Sequence, residues 1–182
     1  MNDYILILIS AALVNHLCLH QQPLPRLHLH VHGLACALCI ALGVIGAQLL
    51  AQGVLAPLHI QDLALFLLLS WLALLAWGIP WLLAKWRPAW PVAGLPALLS
   101  SNAVALGLAL QQASDDSAWS STLLQALLAG AGFWLALALF ADLRQRTKHA
   151  DIPGVLRGLP IELIGAGVMA MAFSGLNGLF TQ

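Results

Sequence analysis

Most of the side chains that could do chemistry fall in a few short stretches. His28, His30 and His32 alternate with apolar residues, with His16 and His20 upstream. In extended chain this run sets three imidazoles on one face, an arrangement that suits zinc, copper or nickel. The same three histidines read equally well as solvated polar residues of an interfacial loop. Cys36 and Cys39 stand three apart, on one side of a helix, and a Cys-x-x-Cys without a second pair is a weak metal signature. With Cys18 they read as small buried hydrophobes, and no disulfide framework is expected where positions face lipid or packed helices. Asn15 and Asn102 each sit inside an apolar run. Either they line a site near the bilayer midplane, or they hydrogen-bond between helices and hold the bundle together. Glu162 follows Pro160 in the first turn of the last apolar segment, where the helix macrodipole favours a carboxylate. Asp142 lies beside Arg144 and Arg146 and reads as an interfacial charge. No residue is singled out as catalytic.

The elements that must position these residues are set by composition. Of 182 residues, 61% are hydrophobic and only 8% charged, against roughly 25% charged in a soluble domain. A water-soluble fold of this size could not hide that much apolar surface, so the bilayer is part of the solvent. The net charge is zero, which removes the electrostatic case for nucleic acid. The start, Met1-Asn2-Asp3, lacks the basic residues of a cleaved signal, so the first apolar run is expected to be retained. A span needs about 20 apolar residues. The expected architecture is all-α: one membrane domain over 1–182 with six spans, at 4–19, 33–56, 63–84, 92–110, 119–143 and 160–180. Gly78-Ile79-Pro80 should kink the third, and small residues in the sixth permit close packing.

The charges then fix an orientation. Arg26 lies in the first loop, Lys85 and Arg87 in the third, and Arg144, Arg146, Lys148 and Arg157 in the fifth, which accounts for all seven basic residues. Asp3, Asp62, Asp115 and Asp116 lie on the opposite side. The positive-inside rule makes the odd loops cytoplasmic and puts both termini outside. Asn15 in span one and Asn102 in span four also hint at two inverted sets of three spans.

These residues carry a resemblance. Met1 to Tyr4 through Leu13-Val14-Asn15, Leu98 to Asn102 with Leu106-Gly107, and Gly132-Phe133 through Phe140-Ala141 are similar to the family of the A subunit of the Rnf (Rsx) electron-transport complex. So are Arg144, Ala150 to Pro153, Gly158, Ala166-Gly167, Met169 to Phe173 and Gly175. The E subunit of the sodium-translocating NADH:quinone reductase is a relative. The resemblance implies a bacterial inner-membrane protein with an inverted repeat of three plus three helices, the first and fourth interrupted at Asn15 and Asn102. It implies pairing with a homologous six-span subunit inside a complex that moves sodium ions or protons as electrons pass. The chain would not be an enzyme alone. Family members hold a 2Fe–2S-type cluster with a cysteine in each interrupted segment. Here the corresponding positions are Arg26 and Ala103, and neither binds iron. Three explanations stay open: a diverged subunit without a cluster, substitute ligands from His28, His30 and His32, or local replacement by Cys18. A stand-alone transporter or assembly protein on the same scaffold is the alternative function.

Overall fold

The computed structural model describes residues 26–88, 90, 92, 94–100, 102–114, 118–147, 153 and 156–179. The first expected span, with Asn15, His16, Cys18 and His20, lies outside the described residues. Every described element is helical. Helix α1 spans Arg26–Leu50 and runs without a break into a π-helical segment, Ala51–Leu55, and a final turn α2, Ala56–Leu58. A short 3-10 turn, Gln61–Leu63, leads into α3, Ala64–Trp86. Then come α4 (Leu95–Ser100), α5 (Ala103–Ser114), α6 (Trp119–Thr147) and α7 (Leu159–Leu179).

Local chemistry sets these boundaries. The long run from α1 ends in a Schellman motif. Ile60 N–H donates to Leu55 O at 3.3 Å, and His59 N–H donates to Ala56 O at 3.4 Å. His59 takes the left-handed position between them at φ 53°, the only described non-glycine residue to do so. Gly94 and Gly158, at φ 86° and 88°, make the corresponding turns before α4 and α7. Asp62 stands at the entry to α3 and Lys85 in its last turn, as the macrodipole favours. Helix α3 continues through Pro80.

Three described helices are long and apolar enough to cross a membrane: His28–Leu58, Gln61–Trp86 and Trp119–Arg146. At 1.5 Å per residue, a helix of 31 residues reaches about 46 Å, beyond the roughly 30 Å hydrocarbon core. Polarity is distributed inside-out relative to a protein in water. Phe66, Leu74, Trp77, Trp81 and Leu127 are exposed, whereas His32, Gln48, Asn102, Gln112, Thr122 and Glu162 are buried. The chain is therefore a multi-pass membrane protein. Helix α1 is central. Its Ala35, Cys36, Ile40 and Val44 pack with Leu72 and Ala76 of α3, Leu99 of α4, Val104 of α5 and Phe133 of α6 in one apolar core. The α1–α6 crossing is close enough that a Cβ at Gly130 would lie 2.7 Å from the Ala37 carbonyl oxygen.

One expectation needs correction. Helix α1 starts at Arg26, so the histidine run is helical rather than extended. Inside or near lipid, a backbone that can close its own hydrogen bonds does so, and extending α1 upstream gives the carbonyls of residues 26–32 partners within the helix. The expected interruption at Asn102 is present, between α4 and α5.

Candidate functional site

The break between α4 and α5 is built by Asn102. Its own N–H donates to Leu99 O at 3.2 Å, closing the last turn of α4. Its side-chain Oδ1 accepts from Val104 N–H at 3.1 Å, capping the first turn of α5. One residue thus ends one helix and starts the next. Asn102 is 4% exposed, and its Nδ2 has no hydrogen-bond partner among the described residues. Ala103 follows as the first residue of α5 and is exposed. The half-helix beginning there directs its positive end and its amide donors at the break.

The histidines separate once α1 is a helix. His28 and His32 are one turn apart, while His30 lies on the other side. His30 is exposed and meets Trp134 of α6 edge-on, ring centroids 6.3 Å apart. His32 is buried, with Nε2 3.6 Å from Cys36 Sγ. Cys39 continues the same buried face. No three His, Cys, Asp or Glu side chains gather around a common point among the described residues. Two imidazoles at positions i and i+4 remain, and the third points away.

Sequence reasoning missed two polar links. Arg144 Nε of α6 pairs with Glu162 Oε1 of α7 at 2.7 Å, both side chains largely shielded, whereas the Arg146–Asp142 pair at 3.0 Å is exposed. Gln112 Nε2 donates to Thr122 Oγ1 at 3.0 Å, joining α5 to α6 in the interior. The signals were present as an arginine in the last turn of one apolar helix before a glutamate in the first turn of the next, and as glutamines inside apolar runs.

Residues 95–180 match the family model described as Rnf-Nqr subunit, membrane protein. Over 191 aligned residues the chain is 31% identical to the A subunit of the ion-translocating oxidoreductase complex of Vibrio vulnificus strain YJ016, covering 98% of this chain and 99% of that one. The chain belongs to the Rnf-Nqr family. It is also 32% identical to the protein of the same name from Histophilus somni strain 2336, over 98% of both chains. With the Vibrio cholerae El Tor protein the identity is 31%, again over 98% of both.

Within the Rnf-Nqr frame, the cluster that the resemblance implies can be tested against the donor set. The positions that the resemblance assigns to the ligands are the first residues of α5 and α1, Ala103 and Arg26, and neither residue type carries a thiolate. Iron–sulfur clusters are held by thiolates. Cys36 and Cys39 are fully buried in the apolar core against α3, α5 and α6. Ala103 and Arg26 do not fit the group, and Cys18, the local replacement, lies outside the described residues.

Proposed function

We propose that this chain is a membrane subunit of an Rnf-type ion-translocating oxidoreductase complex, paired with a homologous six-span subunit. The observation that carries the reading is near-full-length similarity to proteins named as the A subunit of such complexes, together with the helix break at Asn102. In this reading the six spans form two inverted sets of three, spans one and four are interrupted, and the chain is one membrane domain. It sits in the bacterial inner membrane with both termini periplasmic. The placement of Lys85, Arg87, Arg144 and Arg146 at the ends of α3 and α6 supports that orientation. So does the Lys85 Nζ over the Trp81 ring at 5.3 Å, an interfacial anchor. The subunit supplies scaffold and ion-pathway surface rather than thiolate ligands. It takes up no metal through His28, His30 and His32 acting together.

Ala103 favours a second reading, a membrane protein that keeps the scaffold but works outside the complex. Affinity purification in mild detergent from native membranes separates the two. Recovery of a second six-span protein with the other subunits supports the lead, and recovery of the chain alone overturns it. Cysteine accessibility at the two termini tests the orientation; labelling from the cytoplasmic side would refute it.

A further inference from the structure

The outward face of α3 carries an ordered run of side chains towards its C-terminal end. Trp77, Trp81 and Lys85 follow one another at intervals of four, on one side of the helix. All three are exposed. Lys85 Nζ stands 5.3 Å from the centre of the Trp81 ring, which holds the ammonium against the aromatic stripe. Arg87 follows directly after the helix and is exposed. Its N–H donates to Leu83 O at 2.9 Å, and its carbonyl accepts from Trp90 N–H at 3.0 Å. Trp90 packs on the apolar core, so the backbone that carries the Arg87 side chain is held in place. Gly78 is exposed, and a Cβ there would meet nothing within 4 Å. It leaves a notch on the helix surface between Leu74 and Trp81, both exposed.

Charge and depth decide what such a face would seat. Among the described residues neither Lys85 nor Arg87 meets a carboxylate, whereas Arg144 and Arg146 are paired with Glu162 and Asp142. The C-terminal end of α3 carries about half a negative charge. The two side chains carry two positive charges against it, so this end of the face stays cationic. From Trp86 back to Trp77 the helix axis descends about 13 Å. Tryptophan ordinarily sits at the headgroup level of a bilayer. Trp86 and Trp81 match that level, and Trp77 lies below it, in the hydrocarbon. The stripe therefore runs in the direction of an acyl chain, with two cations at its head. A free phosphate would use the cations and leave the stripe bare. An apolar helix would cover the stripe and leave the cations without a counter-charge. A lipid with an anionic headgroup matches both.

We propose that this face of α3 seats an anionic phospholipid, its phosphodiester against Lys85 and Arg87 and an acyl chain along Trp81, Gly78 and Trp77. The site rests on α3 alone and needs neither the proposed complex nor the proposed orientation. The test titrates the full chain in detergent micelles with phosphatidylglycerol or phosphatidylcholine and counts bound lipid by native mass spectrometry. The parent retains phosphatidylglycerol the more tightly. Lys85→Gln with Arg87→Gln weakens that retention about tenfold or more and brings it to the level of phosphatidylcholine. Arg146→Gln with Arg157→Gln removes the same two charges from exposed positions elsewhere and leaves retention unchanged. Equal loss in both double variants means diffuse attraction and overturns the site, as does a parent that retains the two lipids equally. Gly78→Leu fills the notch where nothing stands in its way, and should weaken retention of both lipids without lowering the melting midpoint. Unchanged retention there overturns the seat of the acyl chain. In native membranes, a photoreactive benzoylphenylalanine in place of Trp77 should cross-link to phospholipid. A polypeptide adduct in its stead shows the face covered by another subunit and overturns the lipid assignment.

Discussion

Gly130 and Gly132 both lie in α6, two residues apart, and differ in what a methyl group would meet. At Gly130 a Cβ would stand 2.7 Å from the Ala37 carbonyl oxygen and 3.5 Å from its Cα, on the backbone of α1. At Gly132 nothing lies within 4 Å. Replacing either by Ala gains the same intrinsic helix propensity, at most about 1 kcal/mol. The difference between the two variants therefore cancels that gain and isolates the steric cost of the crossing. Ordinary contact requires about 0.7 Å more room than Gly130 offers. A backbone carbonyl cannot swing aside, so α1 and α6 must separate and the packing of Ala35, Cys36 and Phe133 loosens with them. Overpacking of this kind costs about 1–3 kcal/mol. Gly130→Ala should therefore melt about 3–10 °C below Gly132→Ala in the same detergent, and Gly132→Ala should match or exceed the parent. Tryptophan fluorescence or circular dichroism on heating reads this directly. Two variants melting together would show that the α1–α6 approach is not a real constraint.

His59→Gly relieves the left-handed strain in the Schellman turn and should stabilise by about 1 kcal/mol, read as a raised melting midpoint. Glu162→Gln leaves Arg144 facing a neutral partner and should destabilise by about 1–3 kcal/mol, while Arg144→Leu with Glu162→Leu recovers most of that loss. A double-mutant cycle showing no coupling would refute the pair. Ala103→Cys alone should gain no iron, because one thiolate cannot hold a cluster. Under the proposed pairing, only Arg26→Cys with Ala103→Cys, co-expressed with the homologous subunit, should bring visible absorbance and labile sulfide, and iron in the single variant expressed alone would refute the assignment of the ligands to these two positions.

The class of the molecule was legible because it follows from bulk composition: with 8% charged residues, no arrangement in water can work. The break at Asn102 was legible through the family resemblance; the residues alone marked Asn102 as a polar group inside an apolar run, and the structure uses it as a cap. The histidine run misleads. Alternation of His with Leu and Val has the period of a strand, and local pattern alone cannot see that the helix downstream propagates through it. The Arg144–Glu162 and Gln112–Thr122 links escape because each joins residues on different helices, and which faces meet is set by packing rather than by spacing.

An alanine at position 103, where the resemblance implies a cysteine, is compatible with the break for a physical reason. The turn is held by Asn102, through its backbone bond to Leu99 and its side-chain bond to Val104, and neither bond involves the next side chain. Position 103 is the first of α5 and exposed, so alanine in place of cysteine there favours the helix without touching the core. The geometry that would present a ligand and the ligand itself are therefore separable. Asn102→Ala should disorder the junction of α4 and α5 and cost about 1 kcal/mol through the lost cap, whereas changes at Ala103 should leave stability within about 0.5 kcal/mol. If Ala103 variants proved as damaging as Asn102→Ala, the break would depend on more than its cap, and the separation of scaffold from chemistry in this chain would fail.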